Sequence, residues 1–223
     1  MYWLTNRLAF PPVTEAEEWG GLAVGGDLSS DRLLLAYRSG IFPWYDAQQP
    51  IVWYAPDPRF VLFPEKLHVS RRIRPILNQQ RFTVTYDTQF RDVIRHCQQI
   101  PRPGQSGTWI TEDMREAYYR LHTLGYAHSV EVWQDKELVG GLYGIVLGSI
   151  FFGESMFSLT DNASKVGFIT FVRLLQAHGC TLVDCQVHTP HLERWGAEEI
   201  PRARYMELLA EGLRQPKQWP VAE

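Results

Sequence analysis

The sequence predicts an α+β chain, with a small N-terminal domain over residues 1–57 and a larger domain over residues 58–223. Three observations carry this. Helical spacing gives way to strand-like runs from Ser129 to Gly153, whose uncharged part from Gly140 reads as buried sheet. Helical spacing and a further strand follow it, an order that belongs to α+β proteins. The run Pro56-Asp57-Pro58 interrupts the chain ahead of both, because each proline restricts the residue before it.

In the first part, Ser29 or Ser30 is placed to cap a helix whose dipole Asp31 complements. Leu33, Leu34 and Leu35 give it apolar contact, and Gly40 ends it. Ile41 to Tyr45 and Ile51 to Tyr54 read as two short strands around a turn at Asp46 to Pro50.

In the second part, Val69 to Gln80 is a helix candidate, but Pro75 favours a start near Arg74, with the proline in the first turn. Phe82 to Tyr86 alternates like a strand, and Thr88 opens a helix through Phe90, Val93, Ile94 and Cys97. Thr111 caps the next helix, where Met114, Tyr118 and Leu121 share one face, and Gly125 stops it. Three strands follow, at Ser129 to Trp133, Leu138 to Leu147 and Ser149 to Gly153, the first two joined by a turn at Asp135-Lys136-Glu137. A helix from Asn162 to His178 then leads to a strand at Thr181 to Val187, and Tyr205 to Leu213 closes the chain as a helix. The long helix is a crossover, which makes the strands on either side of it parallel.

The bulk numbers narrow the function classes. The 223 residues are 45% hydrophobic and 21% charged, which is ordinary globular composition. The net charge of -3 advertises no polyanion partner, so nucleic-acid binding requires a local basic patch. Cys97, Cys180 and Cys185 are odd in number and form no CxxC pair, which argues against a disulfide framework or a zinc site and suits a cytoplasmic setting. No signal pattern opens the chain, and the uncharged stretch from Gly140 to Gly153 is too short and glycine-rich to span a bilayer. His188 and His191 have ligand spacing but lack acidic or Cys partners at metal-site spacing, so no metal is expected.

Two places invite chemistry. Asp184 and Gln186 lie two apart on a strand and so point to one face. A carboxylate and an amide there are costly unless hydrogen-bonded. Glu154, at the end of the neighbouring strand, stands among Phe151, Phe152, Met156 and Phe157. These polar groups either meet in an apolar-lined site or merely satisfy backbone donors at strand ends; spacing alone leaves both open.

Several segments together resemble the leucyl/phenylalanyl-tRNA–protein transferase family. They are Gly25-Gly26-Asp27-Leu28, Tyr37, Gly40-Ile41-Phe42-Pro43-Trp44, Pro56-Asp57-Pro58-Arg59, Gly107-Thr108-Trp109-Ile110-Thr111, His128-Ser129-Val130-Glu131-Val132-Trp133, Leu138-Val139-Gly140-Gly141-Leu142-Tyr143-Gly144, Gly153-Glu154-Ser155-Met156-Phe157-Ser158, Asn162-Ala163-Ser164-Lys165 and Asp184-Cys185-Gln186. They occur in the family's order over nearly the whole chain.

The resemblance implies an aminoacyltransferase with its small N-terminal domain packed on a GNAT-like (acetyltransferase-type) C-terminal domain. It implies transfer of Leu, Phe or Met from aminoacyl-tRNA to the α-amine of a protein beginning with Arg or Lys, by a monomer in the cytoplasm and without cofactor. The product is an N-degron for proteolysis. Asp184, Gln186 and Glu154 match the catalytic positions. Asp184 or the departing ribose oxygen is then the proton acceptor, Gln186 orients the amine, and Glu154 meets the acceptor's basic side chain. Leu142, Phe151, Met156, Phe171 and Val183 match the donor side-chain pocket, although each also suits plain core packing. Trp44, Trp109 and Tyr118 match positions that hold the terminal adenosine, with Tyr37 beside them. Arg71, Arg72, Arg74 and Arg81 form the expected phosphate patch, with a solvated arginine face as the other reading. Two other classes remain: a CoA-dependent N-acetyltransferase, and a non-catalytic module that binds tRNA or peptide. The first needs a glycine-rich pyrophosphate loop, and Phe157 to Lys165 contains no glycine.

Overall fold

The computed structural model describes residues 1–101, 108–217 and 219; Gly107 of the Gly107-to-Thr111 segment lies outside them. In the first part, β1 (Tyr2–Leu4), β2 (Gly21–Gly25), α1 (Ser30–Arg38), β3 (Phe42–Pro43) and β4 (Val52–Tyr54) follow in order. The strands form a four-stranded sheet in the order β1-β2-β4-β3. The hairpin of β3 and β4 and the helix agree with the sequence reading. Ser29 Oγ accepts the Arg32 amide as the N-cap, and Gly40, at φ +74°, turns the chain out of the helix. β1 and β2 were not expected: Gly21-Leu22-Ala23-Val24 offers no alternation, because all four residues are buried.

The second part contributes β5 (Arg59–Leu62), α2 (Arg74–Asn78), β6 (Thr83–Tyr86), α3 (Phe90–Gln99), α4 (Glu112–Thr123), β7 (Ala127–Gln134), β8 (Glu137–Leu147), β9 (Ile150–Ser158), α5 (Ala163–Ala177), β10 (Leu182–Gln186), α6 (Pro190–Glu193), β11 (Glu198–Ile200) and α7 (Arg202–Leu213). Its seven-stranded sheet has the order β11-β5-β10-β9-β8-β7-β6. All neighbours are antiparallel except β9 and β10, which α5 joins as a parallel pair. The helix at α2 is the short version, with Pro75 in its first turn.

Side-chain alternation on β8 sorts the core into two faces. Tyr143, Ile145 and Leu147 turn towards α3, α4, α7 and the N-terminal part, packing with Tyr37, Trp53, Ile94, Met114, Tyr118 and Leu209. Leu142 and Val146 turn towards α5, with Phe151, Phe168, Phe171, Val172 and Leu175. The two parts of the chain therefore share one core on the first face.

Three points depart from the sequence reading. Thr88 does not cap α3; Gln89 is its N-cap and makes no side-chain cap bond. Instead Glu131, fully buried on β7, accepts from Thr85 Oγ1, Thr88 Oγ1, Ser129 Oγ and the amides of Thr88 and Gln89. A carboxylate from the sheet thus satisfies the amide end of the helix. Second, β9 does not end at Gly153 but runs on to Ser158, so Glu154 lies mid-strand. Third, β5 and β11 extend the sheet beyond β10; β5 is short and β11 carries Glu198-Glu199, which hides the strand pattern.

A candidate aminoacyl-transfer site where two parallel strands part

β9 and β10 pair only from Ile150–Phe152 to Leu182–Asp184. Beyond that, both strands change register. On β9, Tyr143 faces Ser155 and Gly144 faces Gly153, so Glu154 is an inserted bulge residue. On β10, Asp184 faces Val61 and Gln186 faces Phe60, so Cys185 is inserted and Gln186 takes φ +61°. The glycine opposite the first bulge is required: a Cβ on Gly144 would lie 2.2 Å from the Phe152 carbonyl oxygen and 2.4 Å from the Phe151 ring.

The parted strands enclose a cavity of about 350 Å³, within the usual range for small-molecule sites. Leu142, Phe151, Met156, Phe168 and Val183 give its apolar walls, Trp44 and Trp109 stand on another side, and Glu154 and Gln186 bring in polar groups. Of the implied donor pocket, only Phe171 is absent. It is fully buried behind Phe151, with ring centroids 4.8 Å apart, and Phe168, one helical turn earlier, lines the cavity instead.

Glu154 is held by two tyrosines. Tyr37 OH donates to Oε1 at 2.7 Å and Tyr118 OH donates to Oε2 at 2.9 Å, and the two hydroxyls touch each other. Both phenols are fully buried and do not line the cavity, so neither reaches an adenosine there. The reason is the helix face that Tyr118 shares with Met114 and Leu121, which points into the core. Burial and the nearby carboxylate hold both phenols well above their usual range, so they remain donors. The Glu154 residue itself is partly exposed to the cavity. Burial of its carboxyl outweighs the two tyrosine hydrogen bonds and pushes its pKa up to about 7.

Asp184 sits differently from the expectation. It is fully buried and outside the cavity lining. Arg59 Nε donates to Oδ1 at 2.9 Å and Nη2 to Oδ2 at 2.7 Å; Tyr205 OH donates to Oδ2 at 2.8 Å, and the Gln186 amide to Oδ1 at 3.0 Å. A carboxylate offers about four lone-pair sites, and all are used. Asp184 therefore has no free position to accept a substrate proton. What it does hold is the Gln186 backbone in its left-handed turn. Gln186 Nε2 in turn donates to Glu154 Oε1 at 3.3 Å, and Gln186 lines the cavity.

Arg59, present in the Pro56-to-Arg59 segment but given no role there, and Tyr205, outside every matching segment, are further functional candidates. Arg59 lies between the rings of Phe42 and Tyr205, at 4.8 and 4.6 Å, and also donates to the Gly40 carbonyl. The signal was a lone arginine opening an apolar strand, since a buried carboxylate needs a buried cation. Arg71, Arg72, Arg74 and Arg81 are all exposed around α2. His191 lines the cavity while His188 faces away, packed on Phe60 and 3.4 Å from Glu193, so the pair does not converge. Among the described residues, no group of three or more His, Cys, Asp or Glu is arranged to hold a metal, and no helix is long and apolar enough to cross a membrane.

Known proteins share this sequence closely. The leucyl/phenylalanyl-tRNA protein transferase of Myxococcus xanthus is 56% identical over 207 residues, covering 93% of this chain and 88% of its own. The one from Syntrophus aciditrophicus is 57% identical over 213 residues, covering 96% and 89%. Among solved structures, a GCN5-related N-acetyltransferase from Kribbella flavida is similar with a TM-score of 0.37 and 11% identity, over 74% of this chain and 59% of that one. The model of the leucyl/phenylalanyl-tRNA protein transferase family matches residues 61–210, and that of its N-terminal domain residues 26–57. The chain belongs to the leucyl/phenylalanyl-tRNA protein transferase family.

Proposed function

We propose that this chain transfers Leu or Phe, and Met as a further donor, from aminoacyl-tRNA to the α-amine of proteins that begin with Arg or Lys. The observation that carries the reading is one cavity joining an apolar pocket, an aromatic wall and the Glu154–Gln186 pair. The donor side chain occupies the walls made by Leu142, Phe151, Met156, Phe168 and Val183. Met156 adapts its shape, which lets one pocket take both a branched and a ring side chain. Trp44 and Trp109 stack on the terminal adenosine.

The ester is already activated, so the protein's task is alignment of two substrates. The acceptor's α-ammonium, with an ordinary pKa of roughly 7.7–8.0, loses one proton to solvent near neutrality. Gln186 Oε1 accepts an N–H of the resulting amine and aims its lone pair at the ester carbonyl. The C–N bond forms, the bond from carbonyl carbon to ribose oxygen breaks, and that oxygen leaves with the amine's second proton. Glu154 pairs with the guanidinium or ammonium of the acceptor's first side chain. Asp184, Arg59 and Tyr205 act as positioning residues behind Gln186, and Tyr37 and Tyr118 behind Glu154. Arg71, Arg72, Arg74 and Arg81 contact tRNA phosphates. The acceptor leaves marked for proteolysis, and the cytoplasm, where aminoacyl-tRNA is found, is the setting.

The test uses radiolabelled Phe-tRNA with a peptide beginning with Arg, and labelled acetyl-CoA in parallel. Label enters the peptide from the tRNA alone. Label from acetyl-CoA, or binding of Phe-tRNA without transfer, overturns the proposal.

A further inference from the structure

An aromatic row leads out of the cavity along the N-terminal sheet. Gly21 on β2, Tyr54 on β4 and Phe42 on β3 are paired crosswise, so they share one face. Gly21 contributes no side chain; the Trp19 ring lies over it instead. A Cβ on Gly21 would fall 1.9 to 2.4 Å from three atoms of that ring. The indole is thus seated against bare backbone on one side while it remains 56% exposed. Its centroid is 5.5 Å from Tyr54, and Tyr54 is 5.7 Å from Trp44 and 6.0 Å from Phe42. Phe42 and Trp44 line the cavity. Trp44 is itself 37% exposed.

We propose that Trp19, with Tyr54, forms a stacking platform for the unpaired nucleotides that precede the terminal adenosine of the donor tRNA. The proposal rests on the reading that this cavity takes an aminoacyl-adenosine end. Continuity then decides the occupant, because the row starts at the tryptophan assigned to that adenosine. Trp44 and Trp19, each one ring-to-ring step from Tyr54, are no more than about 11 Å apart by those distances, a reach of one or two splayed nucleotides. An exposed indole with a fixed ring offers a face to any base, which suits binding that tolerates sequence.

The experiment compares three donors, each carrying Phe: the aminoacylated mononucleotide adenosine, the aminoacylated trinucleotide CCA, and whole tRNA. The reading is the ratio of kcat/KM for trinucleotide over mononucleotide, in the unmodified chain and in Trp19→Ala and Trp19→Phe. Because it is a ratio, partial unfolding of a variant cancels. Trp19→Ala lowers the ratio about tenfold, the scale of losing one base stack, and Trp19→Phe restores part of it. An unchanged ratio in Trp19→Ala overturns the proposal. So does a raised KM for acceptor peptide with the ratio intact, which would give the row to the peptide. If the unmodified chain transfers from none of the donors, the underlying transfer reading fails instead, so the two failures are distinguishable.

Discussion

Glu154→Gln should make the protein more stable and a poorer enzyme at once. The carboxyl is raised from 4.5 to about 7 because burial disfavours its charged form. At ~1.4 kcal/mol per pH unit, ionising it in the folded state costs about 3 kcal/mol. Water in the cavity screens part of this, so about 2 kcal/mol is the expected gain from a neutral isostere. Gln fits the tyrosine cradle, since its oxygen accepts from one hydroxyl and its amide donates to the other. The direction with pH follows from linkage. The folded state holds its proton more tightly, so the penalty is absent below about pH 4.5, grows as pH rises towards 7, and is constant above. Glu154→Gln should therefore unfold roughly 4–8 °C higher at pH 8, and the advantage should shrink towards zero at pH 4. Thermal or urea unfolding across pH 4 to 8 measures it. An advantage equal at both ends, or none at pH 8, refutes the claim that a strained ionisation is stored here. In parallel, the KM for an Arg-initiated peptide should rise, because the amide cannot pair with the guanidinium.

Three further outcomes can be checked. Arg59→Ala leaves Asp184 charged and buried without its partner, at a cost of about 3–5 kcal/mol in urea unfolding. The double change Arg59→Met with Asp184→Leu should recover much of that stability but not transfer activity, since the Gln186 amide loses its acceptor; recovered activity would remove the positioning role. Arg71→Ala and Arg74→Ala should each flatten the dependence of tRNA affinity on salt, by about one in the logarithmic slope per lost phosphate contact. Unchanged slopes would make these arginines an ordinary solvated face.

The fold was legible wherever period and punctuation agree. The cap at Thr111, the stops at Gly40 and Gly125, and the crossover helix α5 lie where the residues predict them. The failures share a cause. β2 and β5 are short and buried on both faces, so no alternation reveals them. Glu131 shows the limit for polar residues: on a strand it reads as a buried charge, and only the sheet explains it as the anchor of α3. At the site, Leu142, Phe151, Met156, Val183, Trp44 and Trp109, named from the resemblance, do line one cavity, while Phe168 takes the wall position expected of Phe171. Tyr37 and Tyr118 could not be placed correctly, because their shared partner is 117 and 36 residues distant and on another element.

The division of labour between the two carboxylates was the least legible point, and it follows from the two bulges. Had β9 and β10 kept regular register, Glu154 and Asp184 would differ only in position along a flat sheet. Instead the strands part after Phe152 and Asp184. Asp184 belongs to the last paired step, where Arg59, Tyr205 and the Gln186 amide fill every acceptor site it has. Glu154 lies two residues past the last paired step, where two neutral phenols and one amide hold it and, among the described residues, no cation bonds to it directly. The same residue chemistry is thereby sorted into a neutralised strut and an under-compensated charge that opens on the cavity. An under-compensated carboxylate gains most from a cation brought by a ligand, which is what an N-terminal Arg or Lys supplies. Under the proposed function, the energy that ionised Glu154 costs the empty protein is returned when that side chain binds, so the strain that Glu154→Gln is expected to relieve and the proposed preference for a basic acceptor share one geometry.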